Sequence, residues 1–127
     1  MENTNQVNVR YMVNDVEASI EFYTIHLGFN LLTKHLPAFA DVQRDNLQLL
    51  LSGRTSSAGQ PMPDGTEPIS GGWNRFQVIV KDLAAEVKKL KGKGLQFRNN
   101  IVKGPGGLQI LLIDPSGNFI ELFEPAQ

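Results

Sequence analysis

Hydrophobic and polar residues alternate along two short segments of the chain. Residues 9–13 alternate and lead into Asp15, and residues 76–80 alternate and lead into Asp82, an offset of 67 positions. Strict alternation is typical of a strand with one buried face, since successive side chains point to opposite sides. Each half of the chain is therefore predicted to begin with a strand that ends at an aspartate.

Each aspartate is followed by apolar residues at helical spacing. The spacing is i, i+4, i+7 in both halves, which places three side chains on one face of an α-helix. The two sets are Val16, Ile20 and Tyr23, and Leu83, Val87 and Leu90. Asp15 and Asp82 are favoured N-cap residues. Glycine marks the predicted helix ends, at Gly28 in the first half and at Gly92 and Gly94 in the second.

Three further strands are predicted in each half, separated by turn-forming residues. They cover residues 29–34, 39–43 and 47–51, and then residues 95–102, 108–113 and 119–124. The order strand–helix–strand–strand–strand therefore occurs twice, which predicts an α+β fold of two tandem βαβββ modules within a single domain, 1–127. The modules cover residues 7–51 and 75–125. Residues 52–74, rich in Gly, Ser, Pro and Thr, are predicted to be a linker without regular structure.

Composition narrows the classes of function. The 127 residues carry 12 Lys+Arg against 13 Asp+Glu, a net charge of −1, which offers no electrostatic case for nucleic acid or an anionic membrane. The chain has two histidines and no cysteine, which excludes a disulfide framework, thiolate metal sites and a cysteine nucleophile. The polar residues 1–6 do not resemble a targeting segment. A cytoplasmic location is the expectation.

The paired modules resemble the vicinal-oxygen-chelate superfamily of glyoxalases, extradiol dioxygenases, fosfomycin-inactivating transferases and bleomycin-resistance proteins. The resemblance covers roughly residues 7–125. The segments that carry it are Asn14-Asp15-Val16-Glu17-Ala18-Ser19, Phe22-Tyr23-Thr24, Leu27-Gly28-Phe29 and Asp114-Pro115-Ser116-Gly117-Asn118-Phe119-Ile120-Glu121-Leu122. It implies that the modules form a cupped mixed sheet, with the helices on the outer face and a small-molecule site in the cup. The resemblance does not specify the chemistry, because this fold hosts many reactions.

The resemblance also implies where metal ligands would lie. In metal-using relatives, one ligand precedes each helix-capping aspartate by seven residues, and one lies on the last strand of each module. Aligning Asn46 with Asn118, the four positions hold Asn8, Leu49, Arg75 and Glu121. Leucine cannot coordinate and arginine is permanently charged, so only Glu121 is a good ligand. We therefore expect a vestigial site and no cofactor, with a divalent metal held by Glu121, His35 and Gln77 as the alternative.

Strand alternation selects the side chains that are expected to line the cup. The predicted ligand-binding residues are Asn8, Arg10, Met12, His35, Leu47, Leu49, Trp73, Arg75, Gln77, Phe119, Glu121 and Phe123. His35 precedes a loop and could reach the mouth of the cup. Trp73 could stack on a planar ligand or plug the junction between the modules, and the second role is favoured because large aromatic residues mostly serve burial.

Glu121 lies in a predicted strand that is otherwise apolar. A lone buried carboxylate is costly, so it must be paired, bound to a metal or protonated. The first and last strands of a module are neighbours in the implied fold, which leads to the hypothesis of an Arg75–Glu121 ion pair that stands in for the metal. The alternative is that Glu121 lies at the rim and faces water.

Two functions remain open. The first is a metal-free binding protein of the bleomycin-resistance kind that sequesters a planar or amphipathic small molecule. The second is an enzyme of the same superfamily, a lyase, isomerase or dioxygenase, with Glu121 as general base or as part of a metal site. A homodimer is expected by analogy with relatives of this length.

Overall fold

A computed structural model describes residues 5–127, so residues 1–4 of the polar segment that was predicted not to be a targeting signal lie outside the described residues. The chain divides into two compact units, the first ending at Gly71 and the second comprising Gly72–Gln127. Each unit contains one mixed β-sheet and one α-helix. The predicted α+β class and two-module organisation are confirmed, and the strands form two sheets. Within residues 5–127, neither α-helix is long and apolar enough to cross a bilayer.

The first unit follows the predicted order of elements. These are β1 (Val7–Met12), α1 (Val16–Glu21), β2 (Asn30–His35), β3 (Phe39–Arg44) and β4 (Leu47–Ser52). A π-helical turn, Phe22–His26, extends α1. The sheet order is β1-β4-β3-β2, with β1 parallel to β4 and the other pairs antiparallel. Its core consists of the buried residues Tyr11, Val13, Val16, Ile20, Phe22, Tyr23, Leu27, Phe29, Ala40, Val42, Leu49 and Leu51.

The second unit repeats this arrangement with one additional strand. Its elements are β5 (Phe76–Ile79), α2 (Leu83–Gly92), β6 (Gln96–Phe97), β7 (Val102–Gly104), β8 (Gly107–Ile113) and β9 (Phe119–Pro125). The sheet order is β5-β9-β8-β6, and β7 also pairs with β8, along a different part of that strand from β6. Its core consists of the buried residues Val78, Leu83, Val87, Leu90, Ile110, Leu112, Ile120 and Leu122.

The single strand predicted over residues 95–102 is wrong, because the structure divides it into β6 and β7. Between them, the side chain of Asn99 accepts the Leu111 N–H at 3.1 Å. A side-chain oxygen there takes the place that a carbonyl of a continuous strand would hold. The polar Asn99-Asn100 pair thus interrupts the strand while the backbone of β8 stays hydrogen-bonded.

Both predicted helix starts are confirmed. The Asp15 carboxylate accepts the Ala18 N–H at 3.1 Å, and the Asp82 carboxylate accepts the Ala85 N–H at the same distance. At the end of α2, Gly94 has a φ of +86°, and the following N–H donates to the Leu90 carbonyl at 3.1 Å. The left-handed conformation at this position explains why glycine ends the helix.

Removal of the Asp82 cap is expected to destabilise the protein modestly. The Asp82→Ala change leaves the Ala85 N–H without its acceptor and should lower the free energy of unfolding by about 1 kcal/mol, measured by chemical denaturation. Asp82→Asn retains a capping oxygen without the charge. An equal loss in both variants would mean that the charge, rather than the hydrogen bond, is the stabilising element.

The segment predicted to be a linker without regular structure, residues 52–74, is ordered in its first part. Ser52 completes β4, and Ser57–Gly59 forms a 3₁₀ turn that is capped by the side chain of Ser56. A Cβ atom at Gly59 would lie 2.1 Å from the Gly53 carbonyl oxygen, so the backbone is too close for any side chain. This stretch folds against the first unit, in which the Gly53 N–H donates to the Ala38 carbonyl at 2.8 Å.

Candidate functional site

We call the side of each sheet that faces away from its helix the open face. In the second unit, the register places Gln77 opposite Glu121, and Glu121 opposite Leu111. Alternation along the strands gives the rest of this face. The open face of the second unit comprises Arg75, Gln77, Ile79, Gln109, Leu111, Ile113, Phe119, Glu121 and Phe123. It is largely apolar, with one charged pair near its centre.

Arg75 and Glu121 form the predicted ion pair. Two nitrogens of the guanidinium donate to Oε1 of Glu121, Nε at 3.0 Å and Nη2 at 2.8 Å. The amide of Gln77 donates to Oε2 at 2.6 Å. The side chain of Glu121 is 10% exposed and that of Arg75 is 30% exposed, so the alternative of a water-facing rim residue is wrong.

The sequence places these three groups together through the pairing of β5 with β9. Gln77 lies directly opposite Glu121 in the parallel register, and Arg75 precedes Gln77 by two residues on the same side. A further hydrogen bond, from Nη1 of Arg75 to the Trp73 carbonyl at 3.2 Å, restricts the guanidinium. Both carboxylate oxygens of Glu121 therefore accept hydrogen bonds, one from Gln77 of β5 and the other from Arg75, which directly precedes β5.

The residues at the implied metal positions of this unit do not fit a divalent cation. A cation at Glu121 would have to displace the Arg75 guanidinium from Oε1 and the Gln77 amide N–H from Oε2. Divalent ions need several oxygen or nitrogen donors, and arginine repels them. Within residues 5–127, no three His, Cys, Asp or Glu side chains group in a way that could hold a metal ion.

An aromatic corner lies at one end of this face. The rings of Trp73 and Phe119 are 5.2 Å apart at 50°, and the Arg98 guanidinium lies over the Trp73 ring at 5.9 Å. Trp73 is 64% exposed, so the favoured prediction that it serves burial as a plug is wrong. Its exposed ring remains a surface on which a planar group could stack.

Sequence reasoning missed Arg98. Its backbone N–H donates to the Leu111 carbonyl at 2.9 Å, which extends the row of Gln77, Glu121 and Leu111 across the open face. Gln96 pairs with Ile113 of the open face, and side chains two residues apart on a strand share a face. Once this segment is paired with β8, the same alternation therefore assigns Arg98 to the open face. Apart from His35 and Trp73, the predicted cup residues came from the first and last strands of each module, so the segment that holds Arg98 was left out.

Two predicted cup residues of the first unit, Leu47 and Leu49, are on the wrong side. Leu49 lies opposite Val9 and Val42 and is 0% exposed, under the helix. The open face instead carries Gln48, Leu50 and Ser52. The alignment of Asn46 with Asn118 was one residue out of register, and a shift of one residue exchanges the two faces of a strand.

The corrected register changes which residue corresponds to Glu121. Arg10 lies opposite Leu50 just as Gln77 lies opposite Glu121, so Leu50 rather than Leu49 occupies the equivalent position. Leucine cannot coordinate a metal at either position. The residues at the implied metal positions of the first unit therefore do not fit a divalent cation either.

The open face of the first unit is polar. Asn8, Arg10 and Met12 lie on it as predicted, opposite Gln48, Leu50 and Ser52, and Arg10 donates to the Ser52 hydroxyl at 2.9 Å. His35 is exposed at the end of β2, opposite Phe39. Ligand binding by these residues stays a prediction.

A buried carboxylate that the sequence did not reveal organises this polar face. Asp41, 7% exposed, accepts the Thr33 N–H at 2.9 Å and is also hydrogen-bonded by the Thr33 hydroxyl and the Gln48 amide. The pairing of β2 with β3 shifts between Leu31 and Thr33, and the Asp41 carboxylate satisfies the N–H at that irregularity. Asp41 therefore has a structural role in the sheet.

The Asp41→Ala change is expected to lower the free energy of unfolding by about 2 kcal/mol, because it leaves a partly buried backbone N–H without an acceptor. Thr33→Val removes only the hydroxyl contact and should cost about 1 kcal/mol. Thermal and chemical denaturation of both variants would measure the difference. Equal losses would show that the hydroxyl, and not the backbone hydrogen bond, accounts for the stabilisation.

Asp64, in the segment that precedes the second unit, has a perturbed pKa. The Thr66 N–H donates to its carboxylate at 2.9 Å, and hydrogen bonding by Thr66 lowers the pKa of this exposed carboxyl below its ordinary value. The Met62 N–H also donates to the Thr66 carbonyl at 2.7 Å. These contacts stabilise a local turn.

The model of the Glyoxalase/Bleomycin resistance protein/Dioxygenase superfamily matches residues 5–122. The chain therefore belongs to this superfamily, and the resemblance drawn from its repeated modules is confirmed. No curated protein matches the sequence.

Solved structures share the fold over nearly the whole chain. TnmS3, an antibiotic binding protein from Streptomyces sp. CB03234, is 23% identical, with a TM-score of 0.72 and 99% of both chains covered. Lactoylglutathione lyase from Agrobacterium tumefaciens is 17% identical, with a TM-score of 0.73, covering 98% of this chain and 96% of that one. A superfamily member from Sphaerobacter thermophilus DSM 20745 is 24% identical, with a TM-score of 0.74 and coverages of 94% and 95%. At these identities the likeness establishes the fold alone.

Proposed function

We propose that the chain is a metal-free binding protein that holds a planar, amphipathic small molecule against the open face of its second unit. The main support for this proposal is the Arg75–Glu121 ion pair. The Arg75 guanidinium is hydrogen-bonded to the Glu121 carboxylate, which is the group that a metal ion would need as a ligand. The pair stands in for the metal, because it neutralises Glu121 without leaving an open coordination position.

The surroundings of the ion pair support a ligand of mixed character. Apolar side chains of Leu111, Ile113, Phe119 and Phe123 are half-buried around it, and Ile79 is 55% exposed. Small-molecule sites are mostly apolar with a few polar groups that orient the ligand. The exposed ring of Trp73 offers a stacking surface, and Gln77 and Arg75 offer hydrogen-bond donors beside it.

Among proteins of the same fold, TnmS3 is described as an antibiotic binding protein, and a lyase is described for Agrobacterium tumefaciens. The binding role is favoured for this chain because the donors around Glu121 occupy both carboxylate oxygens. An enzymatic role, with Glu121 as general base, would need the carboxylate to be released from Arg75 and Gln77.

Intrinsic fluorescence tests the proposal, since Trp73 is the single tryptophan of the sequence. Planar aromatic probes of different charge should change its emission and should raise the melting temperature, because a ligand that binds the native state stabilises it. Phe119→Ala should weaken the binding of such probes about tenfold, a loss of about 1.4 kcal/mol. Ile25→Ala, which removes an exposed side chain of the first unit, is the matched control and should leave affinity unchanged.

A metal titration tests the alternative. Mn, Fe, Co, Ni and Zn ions at micromolar concentration should not raise the melting temperature of the protein. Stabilisation by one of these ions that is lost in Glu121→Gln would contradict the proposal and favour a metal-dependent lyase, isomerase or dioxygenase. Turnover of a bound aromatic compound would contradict it as well.

We also propose that the protein is a cytoplasmic homodimer. The apolar residues Leu31, Leu32 and Leu36 are 42%, 45% and 41% exposed around β2, in which every residue is exposed, and burial against a second copy would remove them from water. The cysteine-free sequence is compatible with a reducing compartment. Sedimentation equilibrium should give twice the monomer mass, and cell fractionation should recover the protein with cytoplasmic markers.

A further inference from the structure

Arg98 is a cation without an anionic partner on the face where the ligand is proposed to bind. Its guanidinium lies over the Trp73 ring at 5.9 Å. Among residues 5–127, Arg98 has neither an ion pair nor a side-chain hydrogen bond. A guanidinium that lies over a ring presents its five N–H donors at the edge of its plane, where an oxyanion can accept two of them.

The charges on this open face do not cancel. Arg75 and Glu121 neutralise each other through two hydrogen bonds to one oxygen, and the other residues of the face are apolar or carry amides. Arg98, whose backbone pairs with Leu111, therefore adds one uncompensated positive charge to an apolar and aromatic surface. Arg98 is exposed, so the free edge of its guanidinium is accessible to an oxyanion that arrives from solution.

We infer that the ligand is a planar aromatic compound bearing an oxyanion, and that Arg98 is the residue that selects it. The inference rests on the proposed binding function. The ring of the ligand would lie on the apolar face beside Trp73, and its carboxylate or sulfonate would accept hydrogen bonds from the free edge of the Arg98 guanidinium. Arg98 is therefore a specificity-determining residue, distinct from the Arg75–Glu121 pair.

Three probes that share one ring system and differ in charge test this inference. They are 2-naphthoate, 2-naphthamide and 2-naphthylmethylammonium, and their affinities for the full chain are measured by calorimetry. We expect 2-naphthoate to bind about tenfold more tightly than 2-naphthamide, with the ammonium compound weakest. Raising the salt concentration should weaken the carboxylate probe more than the amide.

Two variants separate the charge of Arg98 from its planar geometry. Arg98→Gln should weaken 2-naphthoate about tenfold and leave 2-naphthamide within about twofold, while Arg98→Lys should show an intermediate loss. Lys88→Gln removes the same charge from an exposed position of α2 and is the matched control, expected to have no effect. The melting temperature of each variant verifies that it is folded.

The outcomes distinguish this inference from the proposed function. Equal or tighter binding of the amide or the ammonium probe, or an equal loss for all probes in Arg98→Gln, would overturn the role of Arg98 and leave the binding function intact. If no probe of any charge binds, the proposed function itself fails, and the inference fails with it.

Discussion

Replacement of Arg75 by methionine is expected to lower the free energy of unfolding by about 3 kcal/mol. The change leaves the Glu121 carboxylate, 10% exposed, with only the Gln77 amide as a hydrogen-bond donor. An uncompensated carboxylate in an apolar sheet face is unfavourable because it loses hydration without gaining a counter-charge. Urea denaturation followed by circular dichroism would measure the loss.

The double variant Arg75→Met/Glu121→Gln isolates the cause. Removal of both charges should restore stability to within about 1 kcal/mol of the original protein, since the penalty arises from the unpaired carboxylate. Arg98→Met is the matched control, an arginine on the same face without a carboxylate partner, and should change stability by less than about 0.5 kcal/mol. A double variant as unstable as the single one would show that the Arg75 side chain acts through packing alone.

Replacement of Leu49 by alanine is also expected to lower the free energy of unfolding by about 3 kcal/mol. Leu49 is 0% exposed, opposite Val9 and Val42 in the buried layer under α1. Its truncation removes apolar contacts and leaves a cavity that the rigid sheet cannot close. Chemical denaturation would measure the effect.

The neighbouring residue provides the control for this prediction. Leu50→Ala, on the open face and only half-buried, should cost about 1 kcal/mol. Because the two leucines are adjacent and identical in type, the difference reports only which side of β4 each one occupies. A larger loss for Leu50→Ala would contradict the register of the first unit.

The structural elements that depend on residues close together in the chain were predictable from the sequence. The caps Asp15 and Asp82, and the helical stripes that follow them, depend on residues within a few positions of each other. The Arg75–Glu121 pair was also predictable, since the resemblance implied that β5 and β9 are neighbours and Glu121 needed a partner. The family was expected from a resemblance, because the two modules and their capping aspartates are similar to those of a known superfamily.

Features that depend on pairing between distant segments were not predictable in the same way. The assignment of Leu49 to the open face failed because turn residues alone could not determine the register of β4 to within one position. The roles of Asp41 and Arg98 depend on an irregularity in β2 and on a short strand beside β8. The irregularity leaves no periodic signal in the sequence, and the alternation around Arg98 assigns a face only once its segment is paired with β8.

The sequence by itself therefore determined the two modules and their helices, the resemblance to the superfamily, and Glu121 as the carboxylate on which the site depends. Only the tertiary structure decided which leucine of β4 is buried, that Trp73 is exposed, and that Arg98 joins Trp73 on the open face of the second unit. The physical reason is that hydrophobic periodicity and capping are short-range, whereas the register and the far strands of a sheet are set by contacts between residues far apart in the chain.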